Sequence, residues 1–164
     1  MYSADDGYDK AEERIKRLLA GRFNSEALVT AVFTAEKTLR RTLRELIVRA
    51  GFISSHADKL FETIKGIDAI KKHWVFFDPK HRTLTSLLPA VHWQAIQTAV
   101  TMRNKMVHGE KVYTTQQCID SANAVLAAIR EMMTVFDREY AYSGWTKHRK
   151  RTRSGLHLLP HKRT

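Results

Sequence analysis

An arginine and a histidine separated by four residues, Arg103 and His108, are the residues of this sequence whose chemistry is most informative. Arginine stays charged and presents a fork of donors that matches a phosphate group. Histidine titrates near neutral pH and can accept or donate a proton. Asn104 can position a phosphate or a ribose by hydrogen bonds. These residue types suit RNA cleavage without a metal, in which the ribose 2′-hydroxyl attacks the adjacent phosphate.

The two residues lie at the end of a predicted helix over 87–107, in which Pro89 falls in the first turn, where proline is tolerated. Gly109 directly follows His108 and is suited to a left-handed helix stop. A separation of five positions places two side chains about 140° apart and roughly 7.5 Å along the axis. A site that uses both must therefore form at the helix end, through a bent last turn or a second subunit.

Arg103 is also predicted to lie on the apolar face of its helix. At 100° per residue it falls about 20° from Ile96, close to Val100 and Val107. A guanidinium there must be paired or lie in a polar cleft. The alternative is a structural arginine that extends out of the core.

Glu36 shows the same pattern in an earlier predicted helix, about 40° from Val32 and close to Leu39. Because charged residues are rarely buried alone, we predict that Glu36 supports the site by orienting or neutralising Arg103 across a helix interface. The alternative is a solvated acid at the edge of the apolar stripe.

The remaining pattern predicts an all-α fold, a bundle of four to five helices with a basic C-terminal tail. Seven glycines and three prolines are few for this length, which favours long helices. Apolar residues recur at three- and four-residue spacing through several segments. We predict one helical domain over 1–146 and a flexible tail over 147–164, with helices over 9–20, 24–50, 55–72, 87–107 and 115–142.

The sequence is strongly basic, with 28 Lys and Arg against 17 Asp and Glu and a formal charge of +11. Seven of the basic residues and no acid follow position 146, so the tail carries +7 and the body +4. Such an excess attracts polyanions, of which nucleic acid comes first and an acidic protein second. The alternative is a solvated tail that aids solubility. The predicted RNA-binding residues are Lys105, Lys147, Arg149, Lys150, Arg151 and Arg153.

Other classes of protein are less compatible with the sequence. Cys118 is the only cysteine, so no intrachain disulfide can form, as expected in the cytoplasm. The polar start does not resemble a signal peptide, and the apolar runs are too short to span a bilayer. The histidines show no zinc-ligand spacing, and no glycine-rich phosphate loop occurs. We expect no metal, no cofactor and no membrane partner.

Two apolar features allow alternatives. Trp74, Phe76 and Phe77, in a predicted connection over 74–79, can stack on RNA bases, but plugging the bundle is the favoured interpretation. The heptad-like stripe of the last predicted helix is usual for core, and a dimer surface is the alternative.

The segment Arg103-Asn104-Lys105-Met106-Val107-His108-Gly109 resembles the HEPN motif, an arginine followed after four to six residues by histidine, commonly with a polar residue after the arginine. HEPN domains are bundles of four or five helices in which the motif closes a later helix. The segment around Glu36 looks like the early HEPN helix that carries an acid facing the motif. The resemblance covers about residues 9–142.

The resemblance implies a homodimer with a composite cleft and metal-independent endoribonuclease activity, with Arg103 and His108 catalytic and Asn104 assisting. It also implies a toxin of a toxin–antitoxin system or a phage-defence effector, with a possible antitoxin partner. One HEPN branch carries a modifiable tyrosine two residues after the histidine, where this chain has Glu110. The alternatives are a non-catalytic module that binds nucleic acid or protein, and a regulator that binds a nucleotide or other ligand in the same cleft.

Overall fold

The computed structural model describes residues 7–156, and all regular elements within that range are helices. The predicted all-α fold is therefore confirmed. One of the five predicted helical segments is divided in the structure, and a short helix that was not predicted precedes another, which gives seven helices over the described range. They are α1 (Tyr8–Ala20), α2 (Asn24–Arg49), α3 (Ser54–Thr63), α4 (Gly66–Phe77), α5 (Leu84–Leu87), α6 (Ala90–Val107) and α7 (Thr115–Tyr140).

The centre of the molecule is α2, which packs along α7 and also contacts α1, α3, α4 and α6. Its predicted apolar stripe is fully buried from Leu28 to Leu46, whereas Ala50, the last predicted position of the stripe, is exposed. Most of the predicted stripe of α7 is buried as well, which makes it core. None of the helices in residues 7–156 has the length and hydropathy that a membrane crossing requires.

The prediction of one helix over 55–72 is wrong in two respects. The segment is divided into two helices, and the second of them ends later than predicted. The chain breaks between α3 and α4, where Gly66 has a φ of +75°, a conformation that favours glycine. Helix α4 then continues to Phe77, through the segment predicted as a connection. Trp74 is fully buried and stacks on Phe136 of α7, with ring centroids 5.2 Å apart. Phe77 packs against the core, whereas Phe76 is 69% exposed.

Pro89 begins the next long helix later than predicted. It precedes α6 at the cap position, because the residues before it form the separate short helix α5. Helix α7 begins with a capping box, in which the Thr114 hydroxyl accepts from the Gln117 amide and the Gln117 side chain accepts from the Thr114 amide. It ends at Tyr140, two residues before the predicted end at 142, and Ala141 adopts a left-handed conformation there.

The first part of the predicted flexible tail lies against the body. The amide of Arg151 donates to the Ser54 hydroxyl, and its carbonyl accepts from the Ser54 amide, both at 2.9 Å. The amide of Gly155 donates to the Gly51 carbonyl at 2.7 Å. The prediction therefore differs from the structure over 147–156, and positions 157–164 lie outside the described residues.

One ridge of α2 holds this segment, because its residues recur every fourth position and so share a face. Lys37 lies over the Trp145 ring, and Arg41 donates to the carbonyls of Gly144 and Thr146. Glu45, which is 2% exposed, accepts from the backbone amide of Arg149 at 3.0 Å. We call residues 141–156 the C-terminal strap.

Candidate functional site

The end of α6 is defined by backbone hydrogen bonds. His108 is the C-cap residue, and Gly109 follows with a φ of +70°. The Gly109 amide donates to the Met106 carbonyl, and the Glu110 amide donates to the Lys105 carbonyl at 2.8 Å. This pair of bonds is the Schellman arrangement, which satisfies the last carbonyls of a helix. The predicted helix stop at Gly109 is therefore confirmed.

Arg103 and Asn104 line a pocket of about 240 Å³ between α6 and the start of α4. The opposite wall includes Lys65, Gly66 and Asp68. No side chain caps the N-terminus of α4, so its first amides are available to an anion. The pocket thus combines two cationic side chains, one acid and a helix N-terminus.

The guanidinium of Arg103 has no counterion among the described residues. Its Nε is buried and makes no hydrogen bond. A buried donor without a partner is costly, and an anionic ligand that accepts from it removes this cost. This arrangement suits a phosphate group, which arginine and a helix N-terminus both recognise.

The predicted placement of Arg103 in the middle of the buried stripe is wrong. The buried face of α6 is formed by Trp93, Ile96, Ala99 and Met102, and Arg103 is only half-buried beside it. The reason is that the last turn of α6 extends beyond the core, as the 66% exposure of Val107 shows. The guanidinium is therefore partly exposed, although its Nε is buried.

The pairing of Glu36 with Arg103 is also wrong. No ion pair or hydrogen bond joins them within residues 7–156, and they line different pockets. Glu36 lies half-buried in a groove between α2 and α3, together with Arg40 and Arg44. Helical periodicity placed both charges near inward faces, but it could not show which neighbour each face meets.

His108 is exposed and does not line the pocket of Arg103. Its ring makes no hydrogen bond with a described residue. The last turn of α6 therefore does not bring His108 into this pocket. One chain therefore brings Arg103 and Asn104 together and leaves His108 outside their pocket.

The predicted RNA-binding residues occupy two regions. Lys105 is exposed on the last turn of α6, whereas the other five belong to the strap. Lys147, Lys150 and Arg153 are exposed, and Arg149 lies 3.6 Å from the buried Glu45 carboxylate. No hydrogen bond or ion pair joins the two regions within the described chain.

A polar cluster around the buried residues Asp78 and Tyr140 joins the end of α4 to the end of α7, and sequence reasoning missed it. Burial raises the pKa of Asp78, but hydrogen bonds from Arg82, from Tyr140 and from two backbone amides outweigh this effect and hold it at about 2. Arg82 also donates to Glu139 at 2.7 Å, and this bond is the main cause that lowers the pKa of Glu139 to about 2. The only signal in the sequence was an acid directly before Pro79. Since these groups bond to one another, we assign the cluster a structural role.

No known protein family matches this sequence. Comparison with curated proteins and with solved structures likewise finds no significant match. Within residues 7–156, no three His, Cys, Asp or Glu side chains lie close enough together to hold a metal ion. The pocket of Arg103 and the net charge are therefore the features of the molecule that bear on its function.

Proposed function

We propose that this protein is a metal-independent endoribonuclease of the HEPN type, with the end of α6 as its active site. The observation that carries the proposal is the position of Arg103 and Asn104. They lie side by side in a polar pocket, against the uncapped start of α4, about one helical turn before His108. This segment resembles the HEPN motif of ribonucleases. The charge of +11 on the chain also suits the binding of RNA, a polyanion.

In this mechanism the pocket holds the scissile phosphate. Arg103, aided by Lys65 and the first amides of α4, would bind the non-bridging oxygens and stabilise their charge in the transition state. A histidine accepts the proton of the 2′-hydroxyl as its oxygen attacks phosphorus. The bond to the 5′-oxygen breaks, and that oxygen takes a proton, which leaves a 2′,3′-cyclic phosphate and a 5′-hydroxyl.

A second copy of the chain completes the proposed site. Each chain supplies one His108, which lies outside the pocket of its own Arg103, whereas the reaction needs one group to accept a proton and another to donate one. Two chains about a twofold axis would supply both groups. The proposed role of such an enzyme is that of a toxin or a phage-defence effector, held in check by an antitoxin protein.

Cleavage of labelled total RNA and tRNA in EDTA tests the proposal. Wild type, Arg103→Ala, His108→Ala and the control His56→Ala, a change at an exposed histidine of α3, are compared after each is shown to be folded. We expect cyclic phosphate ends from wild type and the control, and none from the other two variants. Specific activity should fall on dilution as the dimer dissociates.

The main alternative is a module that binds nucleic acid or protein without cleaving RNA. The observation that favours it is the exposed ring of His108, which lacks a partner among the described residues. Such a module gives no cleavage by wild type, whereas Arg103→Ala weakens its binding. Equal cleavage by wild type and His108→Ala would also contradict the proposed mechanism.

A further inference from the structure

A groove of about 560 Å³ lies between α2 and α3, away from the residues that line the proposed active site. We call it the α2–α3 groove. Its volume falls within the range of small-molecule sites in proteins. Aromatic side chains border it, with Phe33 from α2 52% exposed and Phe61 from α3 largely buried. The guanidinium of Arg40 lies 4.9 Å above the ring of Phe61 and adds a second flat surface.

The groove is cationic because several of its arginines bond to groups without charge. Arg40 donates to two carbonyls at the end of α3, and Arg41 donates to two carbonyls of the strap. Arg44 pairs with Asp58 at 2.7 Å. With Lys37, the lining carries four cations against two carboxylates and so a net charge of +2. Such a charge favours a ligand with an anionic group.

Glu36 lies among these cations and is half-buried. Its carboxylate makes no hydrogen bond or ion pair with a described residue, since the arginines beside it are directed to other acceptors. An ionised carboxylate only accepts hydrogen bonds. A ligand that fits the groove must therefore present donors to Glu36 as well as negative charge to the cations.

A ligand of this groove needs a flat ring for the aromatic side chains, negative charge for the cations and hydrogen-bond donors for Glu36. A nucleotide meets these three requirements, because it joins a base that carries donors to a phosphate. Among the standard bases, guanine alone presents two adjacent donors, N1–H and the N2 amino group, on its Watson–Crick edge. Adenine, cytosine and uracil place an acceptor beside their donor on that edge. A carboxylate that accepts two parallel hydrogen bonds therefore selects guanine.

We propose that the α2–α3 groove binds a guanine nucleotide, either free or as a residue of single-stranded RNA. Glu36 accepts from N1–H and the N2 amino group, the base packs against Phe33, and the phosphate lies towards Lys37 and Arg41. The proposal is independent of RNA cleavage, since the groove shares no lining residue with the pocket of Arg103.

Calorimetric titration of the full chain with GMP, IMP and AMP tests this site. We expect GMP to bind at least about tenfold more tightly than AMP, because AMP leaves the half-buried Glu36 carboxylate facing an acceptor. IMP lacks the N2 amino group and should bind with intermediate affinity. Glu36→Gln should abolish the preference for GMP, whereas the control Glu26→Gln, at an exposed acid of the same helix, should keep it.

Binding of 2′-O-methyl oligonucleotides distinguishes a free nucleotide from a residue of RNA as the ligand. These oligonucleotides cannot be cleaved through the 2′-oxygen. Preference for a guanine-containing oligomer without binding of GMP indicates a residue of RNA, and binding of GMP indicates a free nucleotide. Equal affinity for guanine and adenine ligands in both formats would overturn the proposal. An equal increase of GMP and AMP affinity in Glu36→Gln would also do so, because it would show attraction of charge alone.

Discussion

The Tyr140 hydroxyl donates a hydrogen bond of 2.5 Å to Oδ1 of Asp78, and this bond joins the last turn of α7 to the end of α4. Both residues are buried. Trp74 donates to the same hydroxyl at 3.3 Å, so the bond links the polar cluster to the aromatic core. The junction of two helices that are distant in sequence thus depends on one carboxylate.

We expect Asp78→Asn to lower the free energy of unfolding by about 3 kcal/mol, because it removes the charge that Arg82 faces and replaces one acceptor with a donor. Tyr140→Phe removes only one hydroxyl and should cost about 1 kcal/mol. Urea unfolding measures both. A loss below about 1 kcal/mol in Asp78→Asn would show that the cluster is not important for stability.

Arg103→Met should leave stability unchanged within about 0.5 kcal/mol or raise it, because within residues 7–156 Arg103 has no ion pair to lose and its buried Nε has no partner. Arg82→Met is the matched control, since it breaks two ion pairs, and it should cost about 3 kcal/mol. Loss of RNA cleavage without loss of stability in Arg103→Met supports a functional role. A large loss of stability there supports a structural one.

Gly144 and Gly109 both have positive φ, but only Gly144 is confined. A Cβ at Gly144 would lie 3.0 Å from side-chain atoms of Thr38 and Thr42, and one at Gly109 meets nothing within 4 Å. We expect Gly144→Ala to cost about 2–3 kcal/mol through strain and overpacking, and Gly109→Ala about 1 kcal/mol through strain alone. Equal unfolding midpoints of the two variants would contradict the close packing of the strap on α2.

Mild acidification should lower the stability of the folded protein through His148, a residue of the strap. Burial, followed by the charges of Arg41 and Arg44, lowers the pKa of His148 from its ordinary 6.5 to about 4. Between these values the unfolded chain binds the proton and the folded chain does not, so stability falls as pH falls from 6.5 to 4. Urea midpoints across this range measure the slope, which His148→Gln should reduce.

The carboxylates of Asp78 and Glu139 affect stability in a separate, more acidic pH range. The pKa values of Asp78 and Glu139 are held at about 2, below those of the unfolded chain. Their stabilisation is complete above the unfolded pKa and is lost only as pH falls towards 2. A slope between pH 6.5 and 4 that persists unchanged in His148→Gln would show that the strap is not its source.

Much of the fold could be predicted, because the apolar stripe of α2 and the stop at Gly109 follow from local rules of helix formation. The division of the predicted helix at Gly66 could not be predicted, since a glycine within a helical pattern is often tolerated. Trp74 was placed in a connection that Pro79 ends, whereas in the structure Trp74 is buried against Phe136 and the helix extends to Phe77.

The candidate site was predictable only in part. Arg103 and Asn104 share a pocket, as their adjacent positions suggest. Lys65 and the start of α4 form its opposite wall, and helical periodicity cannot predict which elements pack together. Glu36 was assigned to the wrong neighbour for the same reason. The docking of the strap was missed, because its basic composition resembles that of a solvated tail and its contacts are mainly backbone hydrogen bonds.

The central position of α2 has a consequence for the synthesis of the chain. Its main partner, α7, lies near the other end of the sequence, so α2 leaves the ribosome before the surface that covers it exists. About 90 further residues separate the end of α2 from the end of α7, which at ordinary elongation rates takes on the order of seconds to tens of seconds. During that interval the apolar face of α2 is accessible to chaperones and to other nascent chains.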